Sequence, residues 1–263
     1  MDIKIYTKES LVEEFHKIAA MGWVPNARPG NSGGVGNTLE DLLGIEENNL
    51  PIPNAAEWEL KAQRKNTQSL ATLFHTEPSP RALKFVPEIF LKKYGWRHKE
   101  AGKKYPENEK SFRQTICGNG CTDRGFRVVL DFENRRVQLS FDHTEVSPRH
   151  SAWLRDVNAN ASLDQLNPQP YWGFDDLAHK AGTKLLNCFY VQADVKRVNG
   201  IEYFHYNSVQ LLRKFSFVGF LAQIEAGNIL IDIDARTGHN HGTKFRMRQN
   251  CLPNLYEEVI RII

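Results

Sequence analysis

The sequence predicts an α/β (α+β) protein with a mixed central β-sheet flanked by helices. Three observations carry that expectation. Short segments alternate polar and apolar at period two, as in Glu57-Trp58-Glu59-Leu60-Lys61 and residues 137–141. Other segments repeat apolar residues at helical spacing, as in residues 11–19 and 217–226. Strands and helices do not alternate strictly, which argues against a purely parallel, doubly wound sheet.

Taken in order, the first element is a helix. Ser10 and Glu13 have capping-box spacing, and Leu11, Phe15, Ile18 and Ala19 fall on one face. Residues 22–37 read as a loop rich in Gly, Asn and Pro. Its stretch Gly30-Asn31-Ser32-Gly33-Gly34-Val35-Gly36-Asn37 lacks the Gly-Lys-Ser/Thr ending of a phosphate loop and the third glycine of a dinucleotide fingerprint. Beside a helix N-terminus it can still meet a DNA phosphate. A short helix follows, with Thr38 as N-cap, Asp41 three residues on and Gly44 as the stop. Pro51 and Pro53 precede the strand at residues 57–61. A hairpin joins residues 126–132 to 137–141 through Glu133-Asn134-Arg135. Further strands are expected at residues 185–193 and 229–233, a helix at 217–226, and a closing helix marked by Leu255, Val259 and Ile262. Residues 147–170, crowded with Pro, Asn, Ser and Asp, read as a long connection, joining two lobes or facing DNA.

Composition narrows the function classes. Hydrophobic residues make up 41% and charged residues 25%, an ordinary globular balance that excludes a disordered or fibrous chain. The net charge of +3 suits a nucleic-acid partner without selecting one, because steering depends on where charge clusters. No apolar run reaches bilayer-spanning length, and MDIKIYTKES lacks a signal-peptide core, so the expected location is cytoplasmic, without a membrane partner. Cys117 and Cys121 form one close pair, but no second pair follows at zinc-finger spacing, so reduced thiols are expected rather than zinc.

The chemistry-bearing residues suit phosphodiester hydrolysis. That reaction needs an activated water, charge neutralisation at the phosphate and help for the leaving oxygen. Mg2+ held by carboxylates supplies most of this, and a lysine can orient the water. Glu57, Glu59 and Lys61 share one strand face, with alternate residues about 6–7 Å apart. Asn54 lies just before them, and Glu40 on the short helix adds a carboxylate if that helix packs beside the strand. An E-x-E-x-K strand is more often a solvated sheet face, and Glu40 more often a surface residue. The pattern suggests a site without establishing one. A second cluster, Ile231 to Arg248, gathers Arg236, His239, His241, Lys244, Arg246 and Asp232, which suits phosphate contacts plus base-edge reading. Arg64 adds basic charge past Lys61. Lys92, Lys93, Arg97, Lys99, Lys103 and Lys104 form a basic run, most simply a solvated face.

Those residues carry a resemblance. The segment Glu47-Asn-Asn-Leu-Pro-Ile-Pro-Asn-Ala-Ala-Glu-Trp-Glu-Leu-Lys61, continuing through Leu70-Ala-Thr-Leu-Phe-His75, resembles the active-site region of the MvaI/BcnI restriction endonucleases. Tyr171-Trp-Gly-Phe-Asp-Asp-Leu177 and His239-Asn-His-Gly-Thr-Lys-Phe-Arg246 are similar to later parts of the same family, in the same order. The resemblance implies a MutH-like PD-(D/E)XK core in a single 263-residue nuclease domain. A catalytic lobe would contain residues of about 30–100, and a recognition lobe residues of about 200–250, gripping double-stranded DNA between them. It implies a monomeric type II enzyme using Mg2+, paired with a cognate DNA methyltransferase, cutting a pseudo-palindromic CC-N-GG site one strand at a time. By position Glu59 and Lys61 are the carboxylate and lysine of the nuclease motif, and Glu40 is the helix acid. Asn54, Glu59 and the Leu60 carbonyl are the metal ligands. Asp232, His239, His241 and Arg246 fall in the base-reading region. His75 matches the branch that accepts a central C or G, while Lys244 stands where that branch has another histidine.

The family has aspartate where this chain has Asn54, which offers a carbonyl oxygen but no charge. Glu57 takes over, the nuclease is naturally impaired, or the change was made to trap uncut DNA. A MutH-like repair nickase and a non-catalytic DNA-binding protein are the rival readings.

Overall fold

The structure is a computed structural model that describes residues 6–30, 33–45, 58–65, 67–161 and 163–263. In chain order the first elements are α1 (Lys8–Ala20), β1 (Val24–Pro25), α2 (Gly34–Leu43), β2 (Glu59–Arg64) and β3 (Leu70–His75). A π-helical turn (Phe85–Phe90) then runs into α3 (Leu91–Tyr94). Next come β4 (Trp96–Arg97), β5 (Lys110–Ile116), β6 (Arg124–Asp131), β7 (Arg136–Val146), α4 (Ser151–Asn160), β8 (Tyr171–Gly173) and α5 (Phe174–Leu185). The chain ends with β9 (Asn187–Val198), β10 (Ile201–Phe215), α6 (Phe217–Glu225), β11 (Ile229–Arg236), β12 (His239–Arg248) and β13 (Tyr256–Arg261). These form two compact units interleaved along the sequence. Unit one is Met1–Ser69, Ala181–Phe217 and Gln249–Ile263; unit two is Leu70–Lys180 and Val218–Arg248.

Unit one is built on a mixed sheet in the order β1-β10-β9-β2, with β13 also paired to β10. β2 runs parallel to β9, and the other pairings are antiparallel. The long β9–β10 hairpin turns at Asn199-Gly200, both at positive φ (51° and 80°), the geometry a two-residue type I′ turn requires. Helices α1 and α2 cover one sheet face. Leu11, Phe15 and Ile18 of α1 and Val35, Leu39 and Leu43 of α2 bury against Leu60, Phe189, Val191, Phe204 and Tyr206. Inside this core Tyr206 Oη donates to the Val35 carbonyl at 2.7 Å, so the buried hydroxyl is satisfied.

Local expectations fail here for identifiable reasons. The N-cap of α1 is Thr7, not Ser10. Ser10 is the third helical residue and returns its hydroxyl to the Thr7 amide at 2.9 Å, while Glu13 is exposed. Helix α2 begins at Gly34, so Thr38 is an interior, buried residue whose hydroxyl accepts from the Ala27 amide at 3.1 Å. The glycines that read as loop include one needed for close approach: a Cβ on Gly34 would sit 2.7 Å from Asn26 Nδ2. Gly44 does end the helix, at φ +67°. The expected C-terminal helix is instead strand β13, in register Leu211↔Ile260 and Leu212↔Val259. Six residues are too few for a stable isolated helix, whereas β10 offers this segment an open edge.

Unit two holds an antiparallel sheet, β3-β12-β11-β5-β4, and a smaller one, β6-β7-β8. The hairpin expected around residues 133–135 is β6–β7, with Arg135 at φ 51°. The connection at 147–170 contains helix α4, which buries Trp153 and Val157; the Trp153 indole donates to the Tyr94 carbonyl at 2.9 Å. Segment composition concealed this helix because only two of its residues face the core. The aromatic residues Phe90, Tyr94, Phe112, Phe126 and Phe141 pack together under the sheets. Among the described residues no helix is long and apolar enough to cross a membrane.

Phe126 is fully buried and contacts the rings of Phe90, Tyr94, Phe112, Phe141 and Trp153. Phe126→Ala is therefore expected to destabilise the protein by about 3–5 kcal/mol, measured as a lowered urea midpoint.

Candidate functional site

Strand β2 divides its residues between two environments. Leu60 enters the core of unit one and Trp58 packs tilted on Phe189 with ring centroids 5.2 Å apart. Glu59, Lys61 and Gln63 take the opposite face, where β9 sets Cys188, Tyr190 and Gln192 beside them. Glu59 is only 1% exposed. A carboxylate at that depth needs compensating charge, and two ammonium groups provide it. Lys61 Nζ lies 2.5 Å from Glu59 Oε1, and Lys184 Nζ, near the end of α5, lies 3.0 Å from Oε2. The Oε2 contact is at ion-pair distance without the angle of a hydrogen bond, so this buried oxygen accepts none among the described residues. Burial pushes the neighbouring Cys188 thiol up to about 12, and burial holds the Tyr256 phenol well above its usual range. Both flanking groups are therefore neutral at ordinary pH.

Helix α2 packs on β2 and carries Glu40, half-buried. Asn54 and Glu57 lie outside the described residues. The donor set on this face suits a hard, oxygen-seeking cation, with a buried carboxylate whose Oε2 lacks a hydrogen bond and no thiolate, whereas Glu40 rides on the helix that covers the other face of β2. Among the described residues no three His, Cys, Asp or Glu side chains converge on one point. Leu60, with its side chain in the core, has only its carbonyl to offer an ion.

The second cluster occupies one face of the larger sheet of unit two. His75, Lys244, Asp232 and Thr115 form a single cross-strand row over β3, β12, β11 and β5, while Ile229, Ile231, Ile233 and Ala235 point into the core. Asp232 is 9% exposed and already engaged. Its Oδ2 accepts from Arg246 Nη1 at 3.2 Å and its Oδ1 from the Thr115 hydroxyl at 3.0 Å. Arg246 Nη2 also donates to the Leu70 carbonyl at 3.1 Å. Arg236 donates to Glu109 Oε1 at 3.1 Å and lies over the Tyr105 ring. A bulge at Gly242, φ +78°, shifts the register so that His239 pairs with Arg236. The His239 and His241 rings meet at 4.3 Å, both exposed. Glu77 secures the bulge by accepting from the Thr243 amide at 2.9 Å.

Beside His75 opens a cavity of about 480 Å³, lined by Glu77, Arg81, Lys84, Lys180 and Asn240 among others. Burial lowers the His75 pKa, Lys244 and Lys180 lower it further, and Glu77 opposes them.

Arg64 belongs to neither cluster. It lies on the core-side face of β2, where Glu202 holds its guanidinium through Nε at 3.1 Å and Nη2 at 2.8 Å. In the basic run, Lys92 pairs with Glu88 and Arg97 with Glu107, both in exposed positions. Sequence reasoning missed Lys184, Gln63 and Glu77. Lys184 sits in an ordinary amphipathic helix, and no spacing rule links it to β2.

Residues 12–256 match the profile of the MvaI/BcnI restriction endonuclease family. Among solved structures, the chain is similar to restriction endonuclease MvaI in complex with its cognate DNA substrate. The TM-score is 0.75 and the identity 27%, over 98% of this chain and 100% of that one. It is also similar to MvaI in the absence of DNA, with a TM-score of 0.57 and 26% identity over 99% and 100% of the two chains. A search of the curated proteins finds no match.

The environment of His75 yields an expected titration. Its folded pKa lies below the ordinary 6.5, so folding disfavours the protonated ring; its contribution to stability is full above 6.5 and declines as pH falls through the folded value. Lys244→Met removes a like charge and should raise the midpoint, as followed by NMR of the ring protons.

Proposed function

The chain belongs to the MvaI/BcnI restriction endonuclease family, and from that membership we propose that it is a type II restriction endonuclease. In this reading it hydrolyses double-stranded DNA with Mg2+ at a pseudo-palindromic CC-N-GG site, one strand at a time. The observation that carries the proposal is the buried Glu59 carboxylate ion-paired to Lys61 on one strand face. A solvated sheet face would leave both groups in water.

The residue roles carry over from the family resemblance. Glu59, the Asn54 side chain and the Leu60 carbonyl would hold the ion, with Glu40 supporting them from α2. When bound, a divalent cation neutralises charge on the phosphate and lowers the pKa of water. Lys61, a donor without acceptor capacity, orients the attacking water for in-line displacement. The products carry a 5′-phosphate and a 3′-hydroxyl, and no covalent enzyme intermediate forms. Unit one is in this scheme the catalytic unit and unit two the reading unit. His75, His239, His241 and Lys244 offer hydrogen-bonding groups on its charged face, with Arg236 held by Glu109. Arg246 and Asp232 act as a preassembled pair, suited to guanine and cytosine edges respectively. Arg64 would reach DNA only by leaving Glu202. His75 favours a central C or G. We further propose that the enzyme acts as a monomer in the cytoplasm, beside a methyltransferase that protects the same site.

A second reading is favoured by one residue. Asn54 carries no charge where the family has aspartate, which weakens metal binding and allows a catalytically impaired DNA-binding protein. A partner-activated repair nickase of the MutH-like kind would be silent on plasmid alone.

Incubating plasmid of known sequence with Mg2+ should give nicked and then linear DNA, with mapped ends at CC-N-GG sites; no cutting at any Mg2+ concentration would overturn autonomous nuclease activity. Lys61→Ala should lower the nicking rate by about 10²–10⁴-fold while gel-shift binding of the same site persists. Asn54→Asp should increase cleavage at limiting Mg2+, and continued silence in that variant would favour the DNA-binding protein.

A further inference from the structure

Glu59 has two oxygens and each faces a different lysine. Lys61 comes from the same strand, two residues on, and its Nζ makes a true hydrogen bond to Oε1 at 2.5 Å. Lys184 comes from α5, and its Nζ reaches Oε2 at 3.0 Å without a hydrogen-bonding angle. Lys61 is 20% exposed and Lys184 19%, so both ammonium groups sit in a partly desolvated setting where charge is weakly screened. An oxygen that is buried, charged and short of a hydrogen bond is the one a cation would take.

We infer that Lys184 is a displaceable counter-ion of Glu59: its ammonium occupies the Oε2 position, and Lys184 and a divalent cation exclude one another there. The inference rests on the reading of Glu59 as a metal ligand. Two cations cannot share one carboxylate oxygen at contact distance without strong repulsion. Metal entry therefore requires the Lys184 ammonium to swing away from Oε2, while Lys61 keeps Oε1. In the metal-free protein the same contact compensates the buried charge, so the site stays assembled before the ion arrives. Lys184 is thus a positioning residue that sets how tightly the site takes metal.

The test is Mn2+ binding to the full-length, DNA-free protein, followed by the loss of the free-ion electron paramagnetic resonance signal. Lys184→Met should bind Mn2+ about tenfold more tightly than the parent, since a like charge within about 4–6 Å is worth one unit or more of the exponent. Lys184→Arg, which keeps the charge, should not tighten binding. Equal or weaker Mn2+ binding by Lys184→Met would overturn the inference. Should Lys184→Met fail to fold by circular dichroism, Lys184→Gln carries the same expectation and the same overturning result. Glu59→Gln separates the two levels. If it leaves Mn2+ binding unchanged, the metal-ligand reading itself fails; if it abolishes binding while Lys184→Met does not tighten it, only the role of Lys184 fails.

Discussion

A carboxylate taken out of water must be matched by charge, and much of unit one is arranged around that requirement. Glu59 is 1% exposed, and removing one partner of a buried ion pair costs roughly 3–5 kcal/mol. β2 must therefore place Lys61 on the same face, and α5 must end where Lys184 reaches Oε2. The parallel pairing of β2 with β9 sets Cys188 beside Glu59, and burial keeps that thiol protonated, so no competing negative charge arises there. The other β2 face shows the same economy: Arg64 enters the core side only because Glu202 meets it with both oxygens.

Unit two solves a different problem. Its charged sheet face has to carry arginines and a carboxylate in fixed positions while its reverse face buries Ile229, Ile231 and Ile233. Period-two alternation achieves the separation, and hydrogen bonds within the face fix the long side chains. Asp232 orients Arg246, Glu109 orients Arg236 and Glu77 pins the bulge at Gly242. Holding an arginine by its carboxylate lowers the entropy lost when that arginine meets a ligand. The bulge matters because a regular strand would put His239 on the core side of β12; one extra residue returns it beside Arg236.

The sequence exposed what is periodic and local. The alternation around Glu59 and Lys61, the hairpin at residues 133–135, the helix beginning at Phe217 and the apolar stripe of α1 were all legible, because each is set by neighbours within a few residues. The terminal strand was not: Leu255, Val259 and Ile262 have helical spacing, and only the open edge of β10 decides otherwise. Helix α4 was hidden by its Pro- and Asn-rich flanks. Lys184 was hidden for a deeper reason. Its partner lies on another element far along the chain, and nothing in an amphipathic helix marks which lysine will find a buried carboxylate. That Asp232 anchors Arg246 was equally invisible, since a base-edge acceptor and an arginine anchor require the same residue type.

The charge balance at Glu59 gives Asn54 its meaning. Among the described residues two lysines face that one carboxylate. In the proposed metal site an aspartate in the family's position would add negative charge and lower the free energy of a divalent cation nearby. Asparagine there would supply an oxygen without charge. Under that proposal the negative charge would come from Glu40 or Glu57, or metal binding would be weaker. Either way the burden shifts onto how readily Lys184 yields Oε2. Under the proposed scheme a site with aspartate would take the ion with both ammoniums only partly moved, whereas one with asparagine would need an ammonium to leave. In that scheme the residue at position 54 and the lysine on α5 would be two sides of one electrostatic balance, although no local pattern joins them.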